Sequence, residues 1–236
     1  FSDVLQQQVM KQMGFGSLYD VADVVTYKPE KSWNYEVGAH LSTPSHKVQA
    51  DLALFYIDCR DQQLTVFPEG QVTGRLMTNA GRTRSFGGEA SLLATLWRNL
   101  DLQVAYGYTR ATFVKFDTGK ADYAGNFIPY APQHTLYAGA SYTLRTGWNW
   151  LEYVIFRVAA NGAGRIYWNE ANTFSQPFYA LLEASIRFEH RHWAVDVWGR
   201  NLTDTRYDTF YFMSIGNSFL QRGRPRTFGV SLSITL

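Results

Sequence analysis

The chain has 236 residues, a net charge of +2 and aromatic side chains at 16% of its positions. This near-neutral balance gives no bulk electrostatic case for nucleic-acid binding. Cys59 is the single cysteine, so the chain forms no internal disulfide and offers no cysteine pair to a metal.

The chain opens with FSDVLQQQVMKQMGFGS, which lacks the basic-then-apolar layout of a signal peptide. No apolar run anywhere reaches the roughly 18 residues of a membrane-spanning helix. The opening resembles the middle of a longer protein, and we expect the chain to be a mature or truncated piece.

Alternating polarity then recurs along the chain and predicts β-strands, because successive strand side chains point to opposite faces. In FGVSLSITL, the last such segment, every second residue from Phe228 to Leu236 is apolar and the others are small or polar. Helical periodicity is weak, so the sequence predicts an all-β fold. We count nine strands, which begin near Trp33, Val48, Ser85, Leu100, His134, Glu152, Phe178, Trp193 and Phe228.

The predicted strands are joined by connections of two lengths that alternate along the chain. Hairpin-sized turns with the sequences TPSH, WRN, RTGWN and EHRH follow the first, third, fifth and seventh strands. Long connections follow the other strands, over roughly residues 61–77, 114–133, 161–177 and 201–225. All short turns would lie at one end of the sheet and all long loops at the other, as in transmembrane barrels with short periplasmic turns and long extracellular loops.

Strand length and aromatic placement agree with a membrane barrel. Several alternating segments exceed the about 9–11 residues with which a strand crosses a bilayer. Tryptophan favours the membrane interface, because its ring is apolar and its N–H needs a wet partner. Four tryptophans lie at the short-turn ends, as an interface girdle would: Trp97, Trp148, Trp150 and Trp193.

The strand face opposite the apolar one would border bulk water or a water-filled lumen, and alternation alone does not decide between them. This face carries Glu36, Asp51, Asp101, Gln103, Glu183, Arg187, Asp196 and Arg200. Bacterial single-chain barrels have an even strand number. Either residues 1–27 hold a tenth strand or the chain is part of a larger barrel, and its opening favours the larger barrel.

Five motifs occur in one order over residues 28–236 and resemble those of TonB-dependent outer-membrane receptors. They are KPEKSWNYEVG, NAGRTRSFGGEASL, IPYAPQHTLYAGASY, NLTDTRYD and RGRPRTFGVSLSITL. The matching positions are Lys28, Pro29, Glu30, Ser32, Tyr35, Glu36, Gly38, Asn79, Gly81, Gly87, Glu89, Pro132, His134, Asn201, Leu202, Asp204, Tyr207, Gly223, Pro225 and Arg226.

The resemblance implies an antiparallel transmembrane β-barrel segment: residues 28–236 would be the last nine strands of a 22-stranded receptor barrel. Residues 1–27 would be an extracellular loop or partial strand, and the plug domain and TonB-contacting box would be absent. Leu236 replaces the family's usual terminal aromatic residue.

The resemblance also implies a location in the bacterial outer membrane, in contact with its lipid, and uptake of a scarce nutrient. A ferric siderophore or similar iron complex is the expected cargo, and TonB would act only through the missing N-terminal part. Neither catalysis nor a cofactor or resident metal is implied. The open sheet edges of this segment would let it associate with another copy.

Cargo would first meet the long loops. Aromatic rings and arginines there could hold an anionic, aromatic iron chelate by stacking and charge-assisted hydrogen bonds. The candidates are Arg165, Tyr167, Trp168, Phe210, Tyr211, Phe212, Arg222 and Arg224. The alternative is that these aromatics only pack the loops against one another.

Two other readings of the whole chain remain open. One is a stand-alone ten-stranded outer-membrane barrel, either a small porin or a hydrolase. The other is a soluble β-sandwich binding module. A hydrolase would need an acid, base or nucleophile at the extracellular rim, where His134, at a strand start, is the nearest histidine.

Overall fold

The computed structural model of the chain describes residues 28–66, 76–118, 121–214 and 217–235. These residues form a nine-stranded antiparallel sheet and two small two-stranded sheets. The predicted all-β fold with nine long strands is confirmed. The described residues contain no helix long and apolar enough to cross a membrane. The expectations for residues 1–27 and for Leu236 lie outside the described residues.

The nine-stranded sheet is a meander in which neighbours in the sheet follow one another along the chain. Its order is β1-β2-β3-β4-β5-β6-β9-β10-β13, and the small sheets pair β7 with β8 and β11 with β12. The strands are β1 Lys31–Ser42, β2 Val48–Val66, β3 Leu76–Trp97, β4 Leu100–Lys115, β5 His134–Trp148, β6 Leu151–Gly164, β7 Ile166–Tyr167, β8 Ser175–Gln176, β9 Tyr179–His190, β10 Trp193–Arg200, β11 Asp208–Ser214, β12 Asn217–Arg222 and β13 Thr227–Ile234.

The register places most of the apolar residues of the nine strands on one face, which we call the outward face. Directly opposed residues share a face, and Val230 of β13 opposes Val197 of β10, which opposes Ile186 of β9. The same parity continues to β1, where Val37 opposes Leu54. Phe228 and Trp33, at opposite edges of the sheet, are 70% and 69% exposed. Exposed apolar surface on this scale is typical of a face that contacts lipid rather than water.

The opposite face, which we call the inward face, is polar and accommodates large side chains next to glycines. Trp198 lies on this face and donates a hydrogen bond from Nε1 to Ser231 Oγ at 3.1 Å. A Cβ atom at Gly229, directly opposite on β13, would collide with the Trp198 ring. The small residues that alternate along the last strand therefore make room for an indole on the neighbouring strand.

The four short turns occur where they were predicted, but the predicted loop over residues 61–77 is wrong. Strand β2 continues to Val66 and β3 begins at Leu76, with residues 62–66 paired against 76–80. Asp61 has φ 54° and is not itself paired, but the register continues unshifted beyond it, since Arg60 opposes Arg82 and Gln62 opposes Ala80. The sheet consequently extends further at this point than the polarity pattern indicated.

The other long connections are partly ordered into strands as well. β4 runs to Lys115 and β6 to Gly164, one and three residues past the predicted loop starts. The connection after β6 contains the β7–β8 pair, and the one after β10 contains the β11–β12 hairpin. The β7–β8 pair was missed because two residues of alternation cannot be told from chance.

The connection after β4 folds back along that strand and builds a small apolar core. Phe113 and Phe116 are buried there with ring centroids 4.9 Å apart, and Tyr123 and Ile128 pack against them. Backbone hydrogen bonds join Phe113 N to Asn126 O at 2.9 Å and Gly125 N to Phe113 O at 2.8 Å. This connection is thus anchored to the sheet by both apolar burial and backbone pairing.

Gly87→Ala should destabilise the sheet by about 1–3 kcal/mol, the usual cost of overpacking. A Cβ at Gly87 would collide with the carbonyl oxygen of Tyr108, and backbone cannot move aside without opening the β3–β4 ladder. Gly88→Ala is the matched control, because its Cβ would meet the flexible tip of Leu54 at 2.8 Å. Urea midpoints of the protein purified from its host measure the difference, and equal midpoints for the two variants would contradict this packing.

Candidate functional site

The long connections after β4, β6 and β10 meet at one end of the sheet in a group that we call the loop cluster. Tyr130 lies at its centre. Its ring centroid is 5.5 Å from those of Trp168 and Phe210, each on a different connection. Its hydroxyl donates a hydrogen bond to Tyr211 O at 3.1 Å. One side chain therefore contacts all three connections of the cluster.

The hydroxyl of Tyr130 is well suited to this donor role. Burial raises the pKa of Tyr130, and the nearby charge of Glu170 raises it further. A raised tyrosine pKa favours the protonated form, so the hydrogen bond to Tyr211 persists at neutral pH and is lost only as pH rises towards the folded-state pKa.

Tyr211 lies beneath the surface of the cluster and is 6% exposed. Its ring stacks on Phe174 with centroids 4.6 Å apart, and its hydroxyl is 3.0 Å from Ser218 Oγ. Trp168 is 7% exposed. Tyr211 thus joins the connection after β6 to the β11–β12 hairpin, and Trp168 joins it to the connection after β4 through Tyr130.

Asparagine and glutamine side chains tie the connections together through backbone groups. Asn172 accepts from Phe127 N at 2.6 Å through Oδ1 and donates to Phe127 O at 2.9 Å through Nδ2. Buried Gln176 accepts from Asp208 N at 2.8 Å and donates to Pro177 O at 3.0 Å. Side chains that pair in this way fix loops that no continuous ladder supports.

The structure places the eight candidate cargo residues at different depths in the cluster. Trp168 and Tyr211 are buried, Tyr167 and Phe212 are half-buried, and Phe210 is 37% exposed. The three arginines are exposed: Arg165, Arg222 and Arg224. Accessible charge and partly accessible rings therefore surround a packed aromatic interior.

Sequence reasoning missed the residues that hold the cluster together. Tyr130 lies between Pro129 and Pro132 just before β5, and an aromatic residue framed by prolines was the available signal. Asn172 adopts φ 56°, a left-handed conformation that asparagine tolerates better than most residues. Nothing in the sequence indicated that Gln176 is buried.

Two of the family-like motifs form one hydrogen-bonded unit between β10 and β13. Asn201, 5% exposed, donates from Nδ2 to Thr205 O at 2.9 Å and to Arg224 O at 3.1 Å. Asp204 accepts from Arg226 N at 3.0 Å. A Cβ at Gly223 would collide with the Tyr207 ring. The unit's residues, with Leu202 and Pro225 beside them, fix where β13 begins.

Two further motifs meet on the first strands in the same manner. Asn79 accepts from Lys28 N at 2.8 Å, and donates to Lys28 O at 3.1 Å and to Asp61 O at 2.6 Å. Glu30 accepts from Gln63 N at 3.1 Å. These bonds hold the residues before β1 against the bend at Asp61.

The remaining motif residues lie along the strands. Tyr35 faces outward with its ring centroid 6.4 Å from that of Tyr56. A Cβ at Gly38 would lie 3.0 Å from Leu52 O. By register, Glu36 and Glu89 face inward, and Gly81 approaches Lys115 on β4. Pro29 precedes β1.

Charged groups line the inward face and pair across strands. Arg187 donates to Asp196 Oδ2 at 2.6 Å and to Glu189 Oε2 at 2.7 Å. Nearby, a concavity of about 540 Å³ is bordered by residues of β3, β4, β5, β6, β9, β10 and β13. Its charged and amide lining residues are Asp101, Gln103, Arg157, Glu183, Asp196 and Arg200.

One inward cluster contains the residue types of a hydrolytic triad. Asp51 lies 2.6 Å from His40 Nδ1 and accepts from Ser91 Oγ at 3.1 Å. The serine hydroxyl therefore bonds to the carboxylate and not to the imidazole that would have to activate it. Across the described ranges of the chain, no group of three or more His, Cys, Asp or Glu residues is placed to hold a metal ion.

An antiparallel meander with an apolar outward face, a polar inward face and long connections at one end defines part of a transmembrane β-barrel wall. Residues 11–202 match the family model described as TonB dependent receptor-like, beta-barrel. The chain belongs to this family, as its sequence motifs predicted.

Relatives of known name agree with this assignment. The pesticin receptor of Yersinia pestis is 28% identical over 218 residues, which cover 90% of this chain and 30% of that receptor. The solved structure of the ferric yersiniabactin uptake receptor FyuA from Yersinia pestis is 25% identical with a TM-score of 0.72, over 87% of this chain and 30% of that one.

A second solved structure shares the fold. The ferric preacinetobactin receptor BauA from Acinetobacter baumannii has a TM-score of 0.65 at 20% identity, over 87% of this chain and 30% of that one. The chain therefore spans about a third of the length of the relatives it matches.

Asn201→Asp should destabilise the unit between β10 and β13 by about 1–3 kcal/mol, because it removes both Nδ2 hydrogen bonds from the carbonyls of Thr205 and Arg224 while it keeps the side chain's size. Thr203→Ser, at an exposed neighbour, keeps the hydroxyl that bonds to Thr205 and is the control. Limited proteolysis of residues 201–226 in the folded protein reports the change. Equal cleavage rates in both variants would show that these bonds do not hold the segment.

Proposed function

We propose that this chain is the C-terminal barrel part of an outer-membrane receptor that imports a ferric siderophore or a similar iron complex. The observation that carries the proposal is the loop cluster, in which exposed arginines and aromatic rings stand above a sheet with a lipid-type outward face. The names of the relatives support an iron complex as cargo, since FyuA is described as a ferric yersiniabactin uptake receptor.

The depth of each side chain assigns it a role in this proposal. Arg165, Arg222 and Arg224 are exposed and would contact anionic groups of the chelate. Tyr167, Phe210 and Phe212 retain accessible ring surface for stacking on aromatic parts of the cargo. Trp168 and Tyr211 are buried, so they would position these contact residues from below.

The two edge strands of the sheet are where the rest of the receptor would attach. Residues 28–236 would be the last nine strands of a closed barrel, and residues 1–27 a loop or partial strand that precedes them. In the described residues β1 and β13 each have one neighbour, so each offers an edge to the missing strands. The family's plug and its contact with TonB would be supplied by the remainder of the receptor.

The proposal includes transport and no catalysis. The family is one of receptors. The Ser91–Asp51–His40 cluster lies towards the short turns, while the loop cluster is at the other end of the sheet. A catalytic group for an extracellular substrate would be needed at the loop end.

The native polypeptide should be several times larger than the 26.9 kDa of this chain. An antibody raised against residues 201–225 would detect it in isolated outer membranes. A band near 26.9 kDa would contradict the proposal and favour a stand-alone barrel, and recovery in the soluble fraction would favour a binding module.

The double variant Arg222→Glu with Arg224→Glu should weaken binding of the ferric chelate by about 10-fold to 100-fold, because charge-assisted hydrogen bonds contribute about 1.5–3 kcal/mol. Binding of iron-55-labelled chelate to cells that express the full receptor measures this. The matched control, Arg98→Glu with Arg191→Glu, reverses two exposed charges at the short turns. Equal affinity in both double variants would remove Arg222 and Arg224 from the cargo site.

A further inference from the structure

Five basic side chains occupy outward positions near the loop end of the sheet, on a face that is otherwise mostly apolar. The register places Lys31 opposite Arg60 and Arg60 opposite Arg82. Arg84 follows two residues after Arg82 on the same face, and Arg110 opposes Phe86. We call these five residues the outer basic patch. They lie on the adjacent strands β1 to β4, at the end that leads to the long connections.

The patch is confined to one part of the outward face. On β5, β6, β9, β10 and β13, the outward positions of the paired segments that the structure describes carry no lysine or arginine. Towards the loop end these positions are instead small or neutral, for example Gly164, Ala180 and Gly199. The positive charge is thus a property of four strands and not a general feature of this rim.

The apolar side chains of the outward face form a continuous layer, which we call the apolar band. The outer basic patch begins at the end of this band that leads to the long connections. Tyr35, Tyr56 and Phe86 oppose one another across β1, β2 and β3 and form the last level at which all three strands carry an outward aromatic ring. One step further, only Trp33 on β1 is aromatic, opposite Asp58. Two residues add about 7 Å along a strand, or about 5 Å along the membrane normal at the tilt of a barrel strand. Arg84 lies one such step beyond the aromatic level and Arg82 two steps. The first step ends at the depth of lipid headgroups, which occupy about 5–8 Å on each side of the hydrocarbon, and the second ends just beyond it, at about 10 Å.

Most of the charge in the patch has no acidic partner. Asp58 binds Arg82, with Nε 3.1 Å from Oδ1 and Nη2 2.5 Å from Oδ2. None of the ion pairs identified among the described residues includes Lys31, Arg60, Arg84 or Arg110. Five basic residues against one carboxylate leave four positive charges uncompensated.

Two of the arginines are held over aromatic rings with hydrogen-bonding capacity unused. Arg84 lies 5.7 Å above the Tyr56 ring, and Arg110 lies 5.7 Å above the Phe127 ring. The Nε atom of Arg84 is buried and has no hydrogen-bond partner among the described residues. A guanidinium stacked on a ring keeps its N–H edge available, and an unpaired buried donor calls for an acceptor.

We propose that the outer basic patch binds the phosphate groups of an anionic lipid in the leaflet on the loop side of the membrane. Arginine pairs with phosphate through two parallel N–H···O bonds. Four adjacent strands span about 15 Å, which exceeds a single phosphate and suits a lipid that carries two phosphates on one headgroup. The acyl chains of such a lipid would lie on the apolar band directly below, at Leu54 and Leu52.

This inference depends on the outward face lying in a membrane, which the proposed function includes, but not on the identity of the cargo. Native mass spectrometry of the full receptor in detergent tests it, with diphosphoryl lipid A as the probe and phosphatidylcholine as the neutral lipid. The test variant is Arg60→Gln with Arg84→Gln. The matched control, Arg98→Gln with Arg191→Gln, removes two exposed charges at the short-turn end.

We expect the test variant to bind the diphosphoryl probe at least tenfold more weakly than the wild type and the control to bind it normally. Arg60→Lys with Arg84→Lys keeps the charge but loses the paired geometry and should fall between them. An unchanged thermal unfolding midpoint of all variants in the same detergent verifies folding without reference to the cargo. Equal probe binding by the test and control variants would overturn the assignment to a lipid. Complete displacement of the probe by inorganic phosphate at about 10 mM, which is too dilute for salt screening to explain the loss, would overturn it as well.

Discussion

The structure depends on the hydrogen-bond ladder that joins the nine strands of the sheet. In hydrocarbon no water can satisfy a free N–H or C=O group, so each strand that crosses a membrane must pair along its length. That pairing fixes the register, and a slip of one residue would turn every apolar side chain inward. From β13 to β1 the register keeps Val230, Val197, Ile186 and their counterparts on one face.

The two faces of this ladder serve different surroundings. Ion pairs such as Arg187–Asp196 lie on the inward face, where water and the remainder of the receptor would meet them. At the loop end of the sheet, hydrogen bonds from side chains hold the long connections together in place of the ladder. Tyr130 and Asn172 carry out this role in the loop cluster, and Asn201 fixes the point at which β13 begins. The sheet therefore provides a rigid support on which the loops present the arginines of the proposed cargo site.

The period of two in the sequence was enough to predict the strands, their faces and the short turns, because lipid on one side and water on the other select residues at every second position. The end of β2 was not predictable in this way, since Asp61 interrupts the alternation before pairing resumes. The loop cluster was harder still. Tyr130 bonds to a residue 81 positions away, and burial of Trp168 and Tyr211 follows from contacts between separate connections. Residue type indicated the chemistry of the proposed cargo site, but it did not indicate how deeply each side chain is buried in the loop cluster.

The most direct test of the central claim is the environment of consecutive β4 positions in the full receptor, reconstituted in a bilayer. Nitroxide labels would be attached one at a time from Leu102 to Tyr106 in a Cys59→Ser background, and their collision rates with oxygen and with a water-soluble nickel chelate compared. We predict that Leu102, Val104 and Tyr106 meet oxygen preferentially, as lipid-facing sites do, and that Gln103 and Ala105 meet the nickel chelate. Collision rates without this two-residue alternation would contradict the account.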